Sequence, residues 1–308
     1  MLKLLDYIKK DEKFSKNLKI IIFSVVIFFA CDTFLGYFLT KGLEKYYGLN
    51  TSSEVALVGH SHLMLGIDKS MLEKGLNKSV AKYTREGVNV SDRKIMVKQL
   101  LQHNPNLKTV IYGMDAWSFT GEGLSDNSYK LFYPFLEDNN VDTYVNNQAD
   151  FSDYWVHKII KTSRFNEGLI NSSIRGYLDN WSNLKIGEVD TLQLKKEIAL
   201  GRYRKIDNSV ENVAILKETL AELESHNIEI ILLYIPTIDL LNGAEKNKFK
   251  ESISIIENLS KEFKNVKFIS LLEPWSHDHS LFFDQIHLNP KGQKVITEEL
   301  IKKLNLKK

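Results

Sequence analysis

Short apolar runs alternate with amphipathic stretches along most of the chain. The runs are rich in β-branched residues and stop at glycine, proline or polar residues, which predicts strands at 55–59, 80–85, 107–113, 228–236 and 266–271. The stretches between them carry apolar residues at helical spacing and predict helices at 69–76, 91–103, 210–226, 246–263 and 290–304. We therefore expect an α/β fold, a three-layer sandwich in which helices cover both faces of a central parallel sheet.

The alternation disappears between residues 116 and 205, where aromatic and amide side chains are frequent. A long segment of this kind is usually a lid or a small subdomain. Two interpretations stay open: a helical insertion whose aromatics form its own core, or a cap whose exposed aromatics stack on sugar rings or shield an acyl pocket. Either way we expect one large domain at 53–308 that contains this insertion.

The pattern of the N-terminal part predicts a membrane anchor. Residues 18–39 form an apolar span of about 20 residues, the length a helix needs to cross a bilayer. Lysines are frequent in residues 1–17 and scarce just after the span, so the positive-inside rule places residues 1–17 in the cytoplasm and the main domain outside. Residues 40–52 are expected to be a linker.

Three features of this span leave alternatives open. A cleaved signal peptide would end near Ala30, although the apolar run continues past it. Residues 28–31 loosely resemble a lipoprotein box, in which Cys31 would be acylated. Asp32 would cost about 2.5–3.5 kcal/mol in the bilayer centre. We expect it to lie at the interface or to pair with a polar group of a partner membrane protein.

Composition excludes several classes of protein. Of 308 residues, 41 are basic and 39 acidic, a net charge of +2 that argues against a dedicated nucleic-acid binder. A single cysteine excludes an intramolecular disulfide and a cysteine-based zinc site. The 43% of hydrophobic residues is enough for a sizeable core.

The first predicted strand carries the candidate chemistry. It stops at Gly59, and Ser61 follows in a tight turn at the carboxyl edge of the sheet, where open α/β sheets bind ligands. A serine hydroxyl is a weak nucleophile unless a base reaches it. Asp284 and His287, just before the last helix, offer such a base.

These blocks resemble a known group of enzymes. Residues 59–62, residues 66–68 and residues 284–292 are similar to the SGNH (GDSL-like) hydrolase superfamily. The closer likeness is to its membrane-anchored branch around teichoic-acid D-alanyl transfer and alginate-type O-acetylation proteins. The resemblance covers residues 53–115 and 206–304 and implies a flavodoxin-like sandwich.

The resemblance also implies a role for each residue. Ser61 would be the nucleophile and His287 the base that takes its proton and returns it to the leaving alkoxide. Asp284 would hold the tautomer of His287 and stabilise its charged form. The alternative is a helix-capping Asp284 beside a surface histidine.

Three donors of an oxyanion hole are implied in the same way. Ser61 would offer its backbone N–H, and Gly87, in the turn after the second strand, would be the second donor. The family usually has an asparagine as the third, but Asp115 stands in that place here. An ionised Asp115 cannot donate, so it must be protonated, turned away or used otherwise.

Four further histidines and one tryptophan are considered as binding residues. We expect His60 and His62 to pack within the serine turn, and we take His62 and Trp117 as candidates for substrate contact. His277 and His279 suggest a zinc or iron site with His287, but histidines two apart in a polar loop are more often solvated. We expect no metal and no cofactor.

The leading hypothesis is a membrane-anchored serine esterase or O-acyltransferase. It would act on acyl esters of a cell-surface glycan or glycolipid at the cytoplasmic membrane of a bacterial-type envelope, with a membrane-bound O-acyltransferase as a partner. The alternatives are a catalytically weak or inactive binding or scaffold subunit of a glycan O-acylation complex, and a structural sugar-binding domain.

Overall fold

The structure is a computed structural model that describes residues 12–120 and 127–306. Most of the predicted cytoplasmic segment 1–17 lies outside these residues. The strands are β1 Val55–Gly59, β2 Val80–Thr84, β3 Thr109–Met114, β4 Glu229–Tyr234 and β5 Val266–Ser270. The α-helices are α1 Glu12–Tyr47, α2 Ser61–Gly66, α3 Lys69–Leu76, α4 Val90–His103, α5 Asn139–Gln148, α6 Phe151–Ile159, α7 Glu167–Tyr177, α8 Thr191–Ala199, α9 Val210–Ser225, α10 Asp239–Ala244, α11 Lys246–Glu262 and α12 Pro290–Asn305.

The five strands form one parallel sheet in the order β2-β1-β3-β4-β5. Successive side chains of a strand point to opposite faces, and both faces are buried here. Leu57 and Ile111 pack in the cluster on one face, whereas Val58 and Tyr112 pack in the cluster on the other. The expected three-layer α/β sandwich is confirmed.

Because the strands are parallel, the residues that follow their carboxyl ends lie along one edge of the sheet. Ser61 follows β1, Gly87 lies in the turn after β2, Asp115 follows β3 and Pro236 follows β4. All four therefore lie along the carboxyl edge of the sheet, where ligands bind in this class of fold.

The helix α1 has 36 residues, about 54 Å at 1.5 Å per residue. By length and composition it could cross a membrane, as an anchor or a signal sequence does, and its most apolar stretch is almost uncovered by the rest of the protein. The helix also continues through the first part of the expected linker 40–52. Leu43, Tyr46 and Tyr47 are buried there against the core beside β2, because apolar positions continue at helical spacing.

Asp32 has its hydrogen-bond partners within the chain, which corrects the expectation of a partner membrane protein. Its expected place at the membrane interface stays a prediction. Only 3% of the residue is exposed. Its carboxylate accepts hydrogen bonds from the backbone N–H of Lys161 at 2.7 Å, from that of Thr162 at 2.8 Å and from the Thr162 hydroxyl at 2.5 Å. These bonds attach the insertion to α1.

The insertion is helical, and the buried aromatics of its described residues do not form a separate core. Its aromatic side chains Tyr129, Phe132, Tyr133 and Phe135 are buried in the same cluster as α1 and one face of the sheet. Trp181 donates its indole N–H to the carbonyl of Tyr46 at 2.9 Å. This part of the insertion therefore fills the space between α1 and one face of the sheet, whereas Leu194 of α8 packs in the cluster on the opposite face.

Candidate active site

Ser61 stands at the first position of α2, directly after β1. His60 is the N-cap residue, and its Nδ1 accepts a hydrogen bond from the His62 N–H at 3.2 Å. The short connection between β1 and α2 leaves the serine hydroxyl partly exposed at the edge of the sheet.

His287 is presented by a tight loop before α12. Phe282 and Leu288 pair as an antiparallel bridge, and the Phe283 N–H donates to the His287 carbonyl at 2.8 Å. Asn289 caps α12 by accepting from the Gly292 N–H at 3.0 Å and also donates to the Ser280 carbonyl at 2.8 Å. These bonds fix the direction of the imidazole.

The structure brings Ser61, His287 and Asp284 together in one line. Ser61 Oγ lies 2.9 Å from His287 Nε2, and His287 Nδ1 lies 2.8 Å from Asp284 Oδ2. The serine and the histidine are 226 positions apart in the sequence. This is the arrangement in which a carboxylate orients an imidazole that deprotonates a hydroxyl.

The environment of Asp284 keeps its carboxylate ionised. Burial acts to raise its pKa, but hydrogen bonds from the His287 ring and from the backbone N–H groups of His287 and Ile286 outweigh burial and lower the pKa to about 2. An ionised Asp284 holds the proton of His287 on Nδ1. Nε2 is then the acceptor that faces the serine hydroxyl.

Asp115 is buried beside the serine turn and contacts four neighbouring residues. It is fully buried; its Oδ1 accepts from the Trp117 N–H at 2.9 Å and from the Ser118 hydroxyl at 3.1 Å. Its Oδ2 lies 2.8 Å from Nε2 of His60 and 3.6 Å from Nδ1 of His62. Burial opposes ionisation, but these histidines hold its pKa well below the usual range. The proposed oxyanion role of Asp115 is therefore corrected: its carboxylate supports the serine turn.

The two histidines beside the serine and Trp117 are interior residues. Burial lowers the pKa of His60, so its imidazole is neutral, with its proton on Nε2 toward Asp115. His62 is 2% exposed and donates from Nε2 to the Pro236 carbonyl at 3.0 Å. Trp117 is also 2% exposed and donates to the Arg204 carbonyl at 3.0 Å. The expectation that His62 and Trp117 contact substrate is thus corrected, because neither reaches the surface.

Gly87 lies in a half-exposed turn after β2 with φ of +74°, a conformation that favours glycine. The turn is held beside the serine because the Arg85 N–H donates to the Gly59 carbonyl at 3.1 Å. A donor role for Gly87 stays a prediction.

Lys82 is a residue of the site that sequence reasoning missed. Its ammonium group is buried and donates to the carbonyls of Met64 and Ile67 at 2.8 and 2.7 Å, at the C-terminal end of α2. Burial lowers the pKa of Lys82 to about 7. The signal was present in the sequence, because one lysine interrupts the otherwise apolar start of β2.

His277 and His279 do not face His287. His277 Nδ1 lies 2.9 Å from Asp239 Oδ2, and His279 Nε2 lies 2.7 Å from Asp239 Oδ1. Within residues 12–120 and 127–306 no group of three or more histidine, cysteine or acidic side chains is arranged to hold a metal ion.

A cleft of about 320 Å³, lined by both polar and apolar side chains, adjoins the serine helix and the Gly87 turn. Its lining includes Met64, Thr84, Arg85, Glu86, Arg175 and Asn183. Arg85 is nine-tenths or more buried, and its Nε and Nη2 atoms have no hydrogen-bond partner in the described part of the chain. The cleft therefore offers hydroxyl, amide and cationic groups.

No protein-family model and no curated protein matches the chain. Solved structures that are similar include a protein assigned as a platelet activating factor from Streptococcus pneumonia, 11% identical over 89% of this chain and 98% of that one, with a TM-score of 0.43. A protein assigned to the lipolytic G-D-S-L family from Desulfitobacterium hafniense DCB-2 is 12% identical over 81% and 98%, with a TM-score of 0.40. An acetyl xylan esterase from the rumen bacterium Butyrivibrio proteoclasticus is 15% identical over 83% and 64%, with a TM-score of 0.39. The chain is similar to these lipolytic proteins and esterases only at low identity, and its function has to be argued from its own site.

Proposed function

We propose that this protein is a serine esterase or O-acyltransferase that works through an acyl-serine intermediate. The observation that carries the proposal is the line of short contacts from the Ser61 hydroxyl through His287 to the ionised Asp284. The order of the blocks along the chain, which resembles the SGNH hydrolases, supports it.

The chemistry follows from the direction of these contacts. Ser61 Oγ attacks the ester carbonyl while Nε2 of His287 takes the hydroxyl proton. The tetrahedral intermediate collapses, the bond to the alcohol oxygen breaks, and His287 returns the proton to that oxygen. Water or a sugar hydroxyl then attacks the acyl-serine while His287 accepts its proton. The bond between the acyl carbon and Ser61 Oγ breaks, and His287 returns the proton to Ser61 Oγ. Water gives hydrolysis, whereas a sugar hydroxyl gives transfer.

The N–H groups of Ser61 and Gly87 are the donors we assign to the developing oxyanion. Asp115 contacts His60 and stands where the SGNH hydrolases usually have the asparagine that is their third donor. That third donor is therefore missing here. The loss of one such donor typically lowers the rate about 10²–10³-fold. We therefore propose a slow esterase. The same observation favours the second candidate function, a binding or scaffold subunit with weak or no activity.

The proposed substrate is an acyl ester on a cell-surface glycan or glycolipid. The cleft beside the serine helix fits an acyl ester of a glycan or glycolipid, because its lining combines side-chain amides, hydroxyls and Arg175 with apolar side chains such as Leu131 and Leu169. The proposed location is the cytoplasmic membrane, with α1 as a single-pass anchor, the N-terminus inside and the sandwich outside. A membrane-bound O-acyltransferase is the proposed acyl donor.

The proposal is tested by the turnover of p-nitrophenyl acetate by the full-length protein in detergent. We expect His287→Ala to lower the rate about 10²–10⁴-fold, the range typical of a lost general base. The matched control is His226→Ala, which changes an exposed histidine at the end of α9 and should leave the rate unchanged. Equal rates for the wild type and His287→Ala would favour the scaffold. Faster nitrophenol release on addition of a sugar acceptor would favour transfer.

A further inference from the structure

The helix α6 has its apolar and polar faces reversed relative to a helix on a water-exposed surface. Phe151, Trp155, Val156 and Ile159 share one face and are between 45% and 80% exposed. Polar side chains on the other face contact the protein instead: Asp153 accepts from the Tyr133 hydroxyl at 2.7 Å. In contact with water the apolar stripe of a helix normally faces the core.

The Asp142 carboxylate of α5 binds two further side chains on the inner face of α6. Its Oδ1 accepts from Lys158 at 2.6 Å and from the Tyr154 hydroxyl at 2.9 Å, and both donors belong to α6. The polar face of α6 is thus satisfied by the protein, and its apolar face has no partner among the described residues.

A second apolar face lies on α7 and joins the surface of α1. Its exposed residues are Ile170, Ile174 and Tyr177, with Leu178 directly after the helix. The Tyr177 ring stacks on the Phe38 ring of α1 at 4.5 Å, and its hydroxyl donates to the Phe38 carbonyl at 2.8 Å. The apolar surface of α7 is therefore continuous with that of α1.

The hydrogen bonds of Asp32 show which part of α1 lies beside the C-terminal end of α6. The residues that bind Asp32, Lys161 and Thr162, follow the end of α6 almost directly. The apolar surface of α1 continues beyond Asp32 for about 9 Å to Phe38, at 1.5 Å per residue, through exposed Phe34, Leu35 and Tyr37. The insertion thus packs beside the C-terminal part of the apolar stretch of α1, and apolar surface of α1 extends past the point of contact.

We propose that the exposed faces of α6 and α7 lie in the outer leaflet of the membrane that α1 spans. This membrane-facing patch consists of Phe151, Trp155, Val156 and Ile159 with Ile170, Ile174, Tyr177 and Leu178. Interfacial helices bury such faces about 5–10 Å below the headgroups, and tryptophan and tyrosine are enriched there. The occupant is lipid, because the patch extends the α1 surface that itself faces lipid. The inference rests on the proposed anchoring by α1.

The test uses the full-length protein in vesicles of phosphatidylethanolamine and phosphatidylglycerol, with one nitroxide label per molecule. The labelled sites are Val156→Cys and Ile174→Cys in a Cys31→Ser background, and the native Cys31, exposed on α1, serves as the lipid reference. The matched control is Glu257→Cys on α11, which packs on β5 at the sheet edge opposite the α1 side. Power saturation compares collisions with oxygen, which concentrates in lipid, and with a water-soluble nickel chelate.

We expect Val156→Cys and Ile174→Cys to resemble Cys31, with oxygen collisions exceeding nickel collisions, and Glu257→Cys to show the reverse. If Cys31 reports lipid while both patch sites report water, the patch inference is overturned and the anchor stands. If Cys31 itself reports water, the anchoring is wrong. Patch labels shielded from both reagents would mean that a protein covers the patch, which also overturns the inference.

Discussion

At the scale of residues, the serine turn depends on a buried carboxylate that does not touch the proposed reaction centre. Asp115 contacts His60, the N-cap residue of the helix that begins with Ser61. It also accepts from Trp117 and Ser118 on the strand-to-loop turn that follows β3. A carboxylate with these contacts joins the ends of β1 and β3 and positions the serine without supplying a proton.

Asp115→Asn tests this positioning role. The amide cannot replace the charge that faces His60, and we expect the free energy of unfolding to fall by about 1–3 kcal/mol, the cost of a lost buried hydrogen bond to a charged group. The rate of p-nitrophenyl acetate turnover should fall with it. Thermal melting and the esterase assay are measured together, with the exposed Asp207→Asn as control. A faster Asp115→Asn enzyme would instead mean that the position contacts the oxyanion.

At the scale of elements, α2 is a six-residue helix too short to be stable alone. It is held at its start by His60 and at its end by Lys82, and Gln293 of α12 donates to the Leu65 carbonyl at 2.8 Å. Its own N-cap residue and two neighbouring elements, β2 and α12, therefore fix the helix that presents the serine.

Lys82→Met is expected to remove the hydrogen bonds at the end of α2. The difference in unfolding free energy between the wild type and this variant is expected to depend on pH. The pKa of Lys82 is lowered to about 7 by burial, against about 10.4 in the unfolded chain. Between these values the unfolded state binds the extra proton, so the wild type gains stability as pH rises. The unfolding free energy of the wild type minus that of Lys82→Met should therefore increase from pH 7 to pH 10. A constant difference would contradict the lowered pKa.

The sequence pattern predicts regular elements well where one face or both faces are buried. All five strands and the helices α3, α4, α9, α11 and α12 lie within about two residues of their expected bounds, because strand and helix periodicities differ clearly. The short α10 is not visible in the sequence, since tertiary packing decides it. The continuation of α1 to Tyr47 was not predicted, although its apolar positions continue at helical spacing. Ser61, Asp284 and His287 were identifiable by motif, but the partners of Asp115 and Lys82 depend on contacts between distant segments.

At the scale of the whole molecule, α1 is built into the domain and is not a flexible tether. Gly42 of α1 and Gly176 of α7 face each other so closely that a Cβ at Gly176 would clash with the backbone of α1. Ser173 donates to the Leu39 carbonyl at 2.8 Å at the same crossing. The candidate span, the insertion and the sandwich therefore share one continuous set of contacts.

Asp32→Asn tests how firmly the insertion is attached to α1. The amide keeps one acceptor oxygen but turns an NH₂ group toward N–H donors, so the contacts with Lys161 and Thr162 should weaken. We expect hydrogen exchange at these two amides to become at least about tenfold faster, the effect of about 1.4 kcal/mol in local opening. The control is Asp179→Asn, an exposed carboxylate that pairs with Lys45. Unchanged exchange at 161 and 162 would contradict the attachment.

The most direct test of the account is covalent labelling of the full-length protein with a fluorophosphonate, followed by mass spectrometry of its peptides. The phosphonyl group should be found on Ser61 and nowhere else. Labelling should be lost in Ser61→Ala and strongly slowed in His287→Ala, because the imidazole must take the hydroxyl proton. Ser53→Ala, which changes a buried serine ahead of β1, should label like the wild type. Labelling that persists in Ser61→Ala, or a wild type that never reacts, would contradict the claim that His287 activates Ser61.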